Sequence, residues 1–175
     1  MTNEQLLENM VESIIKKEPG YIPKKTIIPR AWQREVLNLL EKNNDKNIYW
    51  IYDKIGNTGK TSICDYIIEN YSNVQYFDDA KRSDVYKQIV KSGFTPNICL
   101  FDLSKECMKL LHYDAIAQCK AGVIYSSKNQ TISINLYFEP KVIVFSNNMP
   151  KFNLFNLEYW KIYTIKDNVL EKVEV

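Results

Sequence analysis

Arginine, histidine and cysteine are all scarce in this chain of 175 residues. His112 is the only histidine and the four cysteines show no C-x-x-C spacing, so no zinc site is predicted and the cysteines are expected to be reduced core thiols. Only three of the 23 basic residues are arginine, which disfavours a kinase with an arginine-rich lid. No apolar run approaches the ~18 residues that span a bilayer, so no membrane partner is expected.

The charge of the chain is nearly balanced, at +2. This balance excludes a surface-wide field that attracts nucleic acid and leaves only a local patch for any polyanion. Residues 1–17 carry acids where a secretory signal would be basic and then apolar. We therefore expect a soluble protein that is not secreted and that lies in the nucleus or the cytoplasm.

Two helical segments are predicted ahead of the main domain. Six apolar residues recur at helical spacing and predict a helix over residues 3–17. A second apolar set that begins at Trp32 predicts another helix after a proline-rich stretch. We therefore divide the chain into a helical region, residues 1–45, and a main domain, residues 46–170. The unpartnered apolar stripe of the first helix predicts contact with another chain, and the alternative is that this helix packs on its own domain.

The main domain has the pattern of an α/β protein with a parallel sheet. Four short apolar runs are separated by helical windows, and runs this apolar are typical of strands covered on both faces. They occupy residues 48–52, 74–77, 98–101 and 142–145. A hairpin is predicted where residues 123–125 and 132–138 flank the polar tip 126–130.

A glycine-containing loop joins the first predicted strand to a helix predicted over residues 61–71. In a phosphate-binding loop the backbone N–H groups face a triphosphate, a lysine reaches the β and γ phosphates, and a hydroxyl holds Mg²⁺. Lys60, expected to be exposed, and Thr61 have these positions. The predicted ATP-binding residues are Gly56, Asn57, Thr58, Gly59, Lys60 and Thr61. The alternative is an ordinary strand-to-helix turn, since Lys54 stands where the strict motif has glycine.

Two polar residues follow later predicted strands. Asp102 directly follows the run 98–101, in the position of the acid that holds the metal together with Thr61. Asn147 follows the run 142–145, where its amide can orient the water that attacks the γ-phosphate. Without the loop upstream, the two would be interpreted as an ordinary turn aspartate and an asparagine-rich turn.

Together these segments resemble the superfamily 3 helicase domain of the replication initiator (Rep) proteins of small circular single-stranded DNA viruses, of the nanovirus and circovirus type. The resemblance rests on residues 49–61, 101–105, 121–128 and 142–150. It extends from about residue 31 to residue 165. It implies an AAA+-like P-loop NTPase fold, with Lys60 and Thr61 as Walker A, Asp102 as Walker B and Asn147 as the motif C sensor.

The same resemblance implies the partners of the chain. It implies a homo-oligomeric ring, expected to be a hexamer, that hydrolyses ATP with Mg²⁺ between subunits, with residues 3–42 as an oligomerisation collar. Lys128 on the hairpin is the implied contact to single-stranded DNA or RNA. Lys120 is the second candidate for this contact. Rep proteins carry a nuclease with paired histidines, so the single histidine predicts no nicking by this chain. It is then either part of a longer Rep or a separate helicase-like protein with a nuclease or initiator partner.

Three departures from the family pattern bear on whether the domain hydrolyses ATP. Asp53 stands in place of a loop glycine, Ala117 in place of an expected glutamate, and Tyr159 in the position of the arginine finger. An arginine finger accelerates related phosphoryl transfers by about 10³ to 10⁵. Hydrolysis is therefore expected to be slow unless another cation takes this role. The candidates are Arg82, Arg30, Arg34 and Lys161.

The function expected from the sequence is that of an ATP-dependent helicase or translocase domain, which acts as a ring on single-stranded DNA in the replication of a small circular genome. Two alternatives stay open. Tyr159 favours a ring-assembly module that binds ATP with little or no hydrolysis. A small-molecule kinase is the second alternative, which the scarcity of arginine disfavours.

Overall fold

A mostly parallel sheet runs through the centre of the protein. A computed structural model describes residues 27–104, 111–127, 129 and 132–174. The described strands are β1 (Ile48–Tyr52), β2 (Val74–Phe77), β3 (Ile98–Leu103), β4 (Val123–Tyr125), β5 (Ser133–Asn135), β6 (Lys141–Ser146), β7 (Trp160–Lys166) and β8 (Val169–Lys172). Six of them pair in the order β2-β3-β6-β1-β7-β8, all parallel except β8, which is antiparallel to β7. Strands β4 and β5 form a separate antiparallel hairpin.

Helices cover both faces of the sheet. The described helices are α1 (Ala31–Leu40), α2 (Lys60–Asn70), α3 (Arg82–Ser92), α4 (Tyr113–Ala121) and a 3-10 turn, Phe152–Leu154. Apolar side chains of α1 and α2 pack with Ile51 and Phe145 on one face. Those of α3 and α4 pack with Trp50 and Phe101 on the other. Because both faces of the central strands are buried, their sequences are almost continuously apolar.

The predicted fold class, an α/β P-loop NTPase-like fold with a parallel sheet flanked by helices, is confirmed. Strands β1 and β2 have their predicted bounds, and β3 and β6 are slightly longer than predicted. The extension of β3 includes Asp102. The hairpin is present, although β5 is shorter than the alternating run that predicts it.

Strands β7 and β8 do not follow from the sequence analysis, whereas helix α3 lies in the predicted helical window between the runs 74–77 and 98–101. Strand β7 lies near the edge of the sheet, and Lys161 and Lys166 interrupt its apolar pattern. Asp167 and Asn168, with φ of +47° and +64°, join β7 to β8 in a two-residue turn. Asn and Asp tolerate this left-handed conformation, which two-residue hairpin turns require.

The N-terminal region is described only in part. The helix predicted over residues 3–17 lies outside the described residues, so the oligomerisation role of residues 1–45 stays a prediction. The second predicted helix is α1, whose buried face, beginning at Trp32, shares the core of the sheet. Among the residues that the structure describes, no helix combines the length and the apolar character needed to cross a bilayer.

Candidate functional site

The loop of residues 53–59 leads from β1 into α2 and curls tightly. Gly56 and Gly59 have φ of +92° and +98°, a conformation that residues with a side chain rarely adopt. A Cβ on Gly59 would also lie 3.1 Å from Nε2 of Gln33. The loop and the start of α2 line a cavity of about 630 Å³. This volume suits a ligand of nucleotide size, and a helix N-terminus favours an anion.

Four candidate residues from three separate segments line this cavity. Lys60 and Thr61 begin α2, Asp102 belongs to β3, and Asn147 follows β6. Strand β6 lies between β1 and β3 in the sheet. Because the carboxyl ends of parallel strands meet at one edge, this strand order brings Asn147 to the same edge as the loop and Asp102. The structure thus brings together the residues predicted to act on the nucleotide.

The loop residues divide between the cavity and the interior of the loop. Gly56, Asn57 and Gly59 line the cavity, and their contact with ATP stays a prediction. Thr58 does not line it, because its hydroxyl donates a 2.7 Å hydrogen bond to Oδ2 of Asp53. The Thr58 side chain thus shapes the loop, and a contact of its backbone N–H with the nucleotide stays a prediction.

Lys60 is buried, with 8% of its side chain exposed, so the expectation of an exposed lysine is wrong. Its ammonium lies 3.3 Å from Oδ2 of Asp53, which is 2% exposed. Burial by itself raises the pKa of the Asp53 carboxyl. Hydrogen bonds from the loop backbone and from Thr58, together with the Lys60 charge, outweigh this effect and lower the pKa below its usual value. Asp53 is therefore an ionised partner of Lys60.

Thr61 and Asp102 lie 41 residues apart in the chain and are in direct contact. Oγ1 of Thr61 donates a 2.9 Å hydrogen bond to Oδ2 of Asp102. The hydroxyl of Tyr76 donates to the same oxygen over 3.3 Å, and burial together with the Asp102 charge raises the pKa of Tyr76. Tyr76 is thus a neutral donor at the site, which the sequence analysis misses because a strand tyrosine carries no motif.

The oxygen atoms of Thr61 and Asp102 fit a magnesium ion. Mg²⁺ prefers oxygen ligands, and it is commonly held by one or two carboxylates together with waters and substrate phosphates. Across the described ranges, no cluster of three or more His, Cys, Asp or Glu side chains could hold a metal by itself. The donor set therefore suits a metal that arrives with a phosphate ligand.

Asn147 is held at the loop by a hydrogen bond. Its Nδ2 donates to the carbonyl oxygen of Asp53 over 3.2 Å. The same nitrogen lies 3.5 Å from the position that a Cβ on Gly56 would occupy. The amide is therefore fixed against the loop, on the wall of the cavity that Lys60 also lines.

The beginning of α1 holds the outer side of the loop. Nη1 of Arg30 donates to the carbonyl oxygen of Thr58 over 2.7 Å, and Nε2 of Gln33 donates to that of Gly59 over 2.9 Å. Arg30 also lines the cavity. Gln33 is a positioning residue that sequence reasoning misses, because its contact depends on how α1 packs on the sheet.

Ala117 and Tyr159 lie at the amino ends of the parallel strands, opposite the loop. Both line a second cavity of about 490 Å³, together with Ile48 and Trp160, the first residues of β1 and β7. The loop follows the opposite end of β1, so Tyr159 is separated from the loop of its own chain by the length of that strand.

The four candidate replacements for the finger differ in their surroundings. Arg82 forms an ion pair with Asp114. Arg34 and Lys161 donate to the backbone carbonyls of Pro29 and Glu158. Of the four, Arg30 alone lines the nucleotide-sized cavity.

The two lysines predicted to contact DNA have different outcomes. Lys128 lies outside the described residues, so its role stays a prediction. Lys120 is 7% exposed, and its ammonium donates to the carbonyl oxygens of Asp45 and Pro140 over 2.5 and 3.0 Å. Burial lowers the pKa of Lys120. The predicted DNA contact of Lys120 is therefore corrected to a structural role, in which it ties two loops to α4.

A pair of variants tests this correction. Lys120→Met removes two buried hydrogen bonds and should lower the free energy of unfolding by about 1–3 kcal/mol. It should leave the salt dependence of single-stranded DNA binding unchanged. Lys128→Ala should instead lower the slope of log K against log salt by about 0.7 and leave stability unchanged. Denaturant unfolding and DNA titrations at several salt concentrations measure both, and a lowered slope in a fully stable Lys120→Met would contradict the correction.

Comparison with known proteins identifies relatives of the chain. It is 31% identical to the Master replication protein of Milk vetch dwarf virus over 128 residues, which are 73% of the chain and 42% of that protein. It is 29% identical to the Master replication protein of Faba bean necrotic yellows virus, over 82% of the chain and 50% of that protein. It is 28% identical to the Para-Rep C6 of a Subterranean clover stunt alphasatellite, over 69% of the chain and 42% of that protein.

These relatives confirm the resemblance to the Rep proteins of small circular single-stranded DNA viruses. The chain spans half or less of the length of these curated relatives. It matches no protein-family profile and no solved structure. The chain is thus a relative of the nanovirus Rep proteins over most of its own length.

Proposed function

We propose that this relative of the nanovirus Rep proteins is an ATP-hydrolysing domain of superfamily 3 helicase type, which acts in the replication of a small circular genome. The observation that carries the proposal is the convergence of Lys60, Thr61, Asp102 and Asn147 on one cavity beside a left-handed glycine loop. The names of the relatives support the replication role.

Each residue of the cavity has a role that follows from its chemistry. The ammonium of Lys60 neutralises the β and γ phosphates of ATP. Thr61 and Asp102 supply oxygen ligands for Mg²⁺. When bound, Mg²⁺ neutralises charge on the phosphate oxygens. Asn147, fixed against the loop, orients the attacking water, and Arg30 adds a positive charge at the cavity wall.

The proposed partners follow from the same resemblance. Single-stranded DNA is the substrate of the motor, contacted at the hairpin by Lys128. A ring of identical subunits, expected to be a hexamer, sets the Tyr159 edge of one chain beside the nucleotide of the next. This arrangement accounts for a finger position that lies a full strand away from the loop of its own chain.

Phosphate release and strand displacement together test the proposal. The protein should release phosphate from ATP in the presence of Mg²⁺, at a rate that single-stranded DNA raises, and should displace a labelled strand from a forked duplex. Phosphate transfer to a nucleoside or another small acceptor without phosphate release would favour a kinase and contradict the proposal.

A ring-assembly module with slow hydrolysis is the second candidate, and Tyr159 is the observation that favours it. Tyr159 is 44% exposed and carries no positive charge. Under this alternative the chain binds ATP and oligomerises, and light scattering detects ATP-dependent rings while phosphate release stays at the background rate.

A substitution at the finger position separates the two candidates. Tyr159→Arg should raise the rate of ATP hydrolysis without DNA by at least about tenfold, because a guanidinium stabilises the charge that develops on the transferred phosphoryl group. Tyr137→Arg, at a tyrosine that is 94% exposed and lines neither of the two cavities, is the matched control and should leave the rate unchanged. An unchanged rate in assembled Tyr159→Arg would contradict the finger assignment.

A further inference from the structure

Asp53 lies against the lysine that the proposed function assigns to the phosphates. The Lys60 ammonium and the Asp53 carboxylate form a buried ion pair with 3.3 Å between Nζ and Oδ2. In the described part of the chain, Asp53 is the one side chain within hydrogen-bonding distance of that ammonium. Asp53 is therefore the side chain that holds the Lys60 ammonium.

Asp53 keeps other partners when Lys60 leaves. Its Oδ1 accepts a 3.0 Å hydrogen bond from the backbone N–H of Ile55, and its Oδ2 accepts the 2.7 Å hydrogen bond from Thr58. Both donors belong to the same loop. A buried carboxylate with two remaining donors stays satisfied, so release of Lys60 does not leave an unpaired charge without hydrogen bonds.

We propose that Asp53 is a positioning residue that holds Lys60 in a stored position and competes with the phosphates of ATP for its ammonium. This inference rests on the proposed function of Lys60. Phosphate binding transfers the charge-assisted hydrogen bond of Lys60 from Asp53 to the nucleotide, so part of the affinity for ATP is offset by the lost ion pair. The loop therefore opposes nucleotide binding to a degree that the Asp53 charge determines.

The substitution Asp53→Asn tests this competition, because it removes the charge and keeps the shape. The amide oxygen can still accept from the Ile55 N–H, and the NH2 group can donate to the Thr58 hydroxyl. The Kd for ATP without Mg²⁺, measured by calorimetry, should fall by about tenfold. Glu174→Gln is the matched control, since it removes a carboxylate from an exposed pair with Lys172, and it should leave the Kd unchanged. If the Kd of Asp53→Asn for ATP equals or exceeds that of the unaltered protein, the inference is overturned.

A double-mutant cycle shows whether the effect passes through Lys60. In a Lys60→Ala background, measured at millimolar ATP, Asp53→Asn should change the Kd by less than about twofold. An equal gain in both backgrounds would mean direct repulsion between Asp53 and the phosphates, and it would overturn the inference. Absence of ATP binding by the unaltered protein would instead reject the proposed function.

Asp53→Ser provides a second variant if Asp53→Asn does not fold. Serine keeps one oxygen that accepts a hydrogen bond at this position and removes the charge. The Kd for ATP should fall in the same direction as in Asp53→Asn, and thermal unfolding without nucleotide establishes that each variant is folded. A weaker affinity in folded Asp53→Ser would count against the competition.

Discussion

Lys60→Ala is expected to weaken ATP binding by about 100-fold and to lower the rate of hydrolysis by about 10²–10³. The ammonium is the one lysine charge on the wall of the cavity, among the residues that the structure describes. Its loss leaves the β and γ phosphates without this counter-charge. Calorimetry with ATP and a phosphate-release assay measure the two effects.

The same variant should also be less stable, which distinguishes a buried lysine from an exposed one. Lys60→Ala leaves the 2% exposed Asp53 without its counter-charge and should lower the free energy of unfolding by about 1–3 kcal/mol. Asp53→Asn in the same chain should restore most of that loss.

Lys54→Ala is the matched control for Lys60→Ala. Lys54 is exposed, belongs to the same loop and does not line the cavity. The Lys54→Ala variant should bind ATP with the affinity of the unaltered protein and hydrolyse it at the same rate. If Lys60→Ala behaves like Lys54→Ala, the assignment of the loop is wrong.

Asp102→Asn is expected to lower the rate of ATP hydrolysis by about 10²–10³ by removing the carboxylate ligand of the metal. The amide oxygen can still accept the hydrogen bonds from Thr61 and Tyr76, so the variant should remain folded. Binding of ATP in the presence of a chelator should be unchanged or tighter, because a negative charge has been removed. Half-maximal hydrolysis should need a higher Mg²⁺ concentration.

The control for Asp102→Asn is the same substitution at the opposite edge of the sheet. Asp114 lines the second cavity and pairs with Arg82. Asp114→Asn should leave the Mg²⁺ dependence of hydrolysis unchanged. An identical Mg²⁺ dependence in Asp102→Asn and the unaltered protein would contradict the role of Asp102.

Part of the loss of stability at acid pH should depend on Asp53. Its pKa is lowered in the folded protein, so the stability that it contributes is present above the pKa of an unfolded aspartate and is lost as the pH falls through the folded value. The loss therefore begins below about pH 4. In this range the free energy of unfolding of Asp53→Asn should fall less steeply with decreasing pH than that of the unaltered protein. The same pH dependence in both proteins would contradict an ionised, stabilising Asp53.

The sequence predicts the central strands well because burial on both faces requires apolar residues throughout. Strands β1, β3 and β6 are such strands. Strand β3 ends in a residue of the cavity, β6 is followed by one, and β1 leads into the loop that lines it. A partly buried strand near an edge has no such constraint. Strand β7, with lysines among its apolar residues, is therefore missed.

The site is predicted in its motif residues and misjudged where long-range packing decides. Lys60, Asp102 and Asn147 carry recognisable patterns and do line one cavity. The burial of Lys120 depends on carbonyl groups 75 and 20 residues away, which no local pattern encodes. The role of Asp53 likewise depends on how the loop curls back on it.

A structure of the chain bound to Mg²⁺ and a non-hydrolysable ATP analogue tests the central claim most directly. We expect the β and γ phosphates in contact with Lys60, the metal ion bound to Thr61 and Asp102, and the Lys60 ammonium moved away from Asp53. A nucleotide bound elsewhere, or phosphates that do not contact Lys60, would contradict the assignment of this cavity as the ATP site.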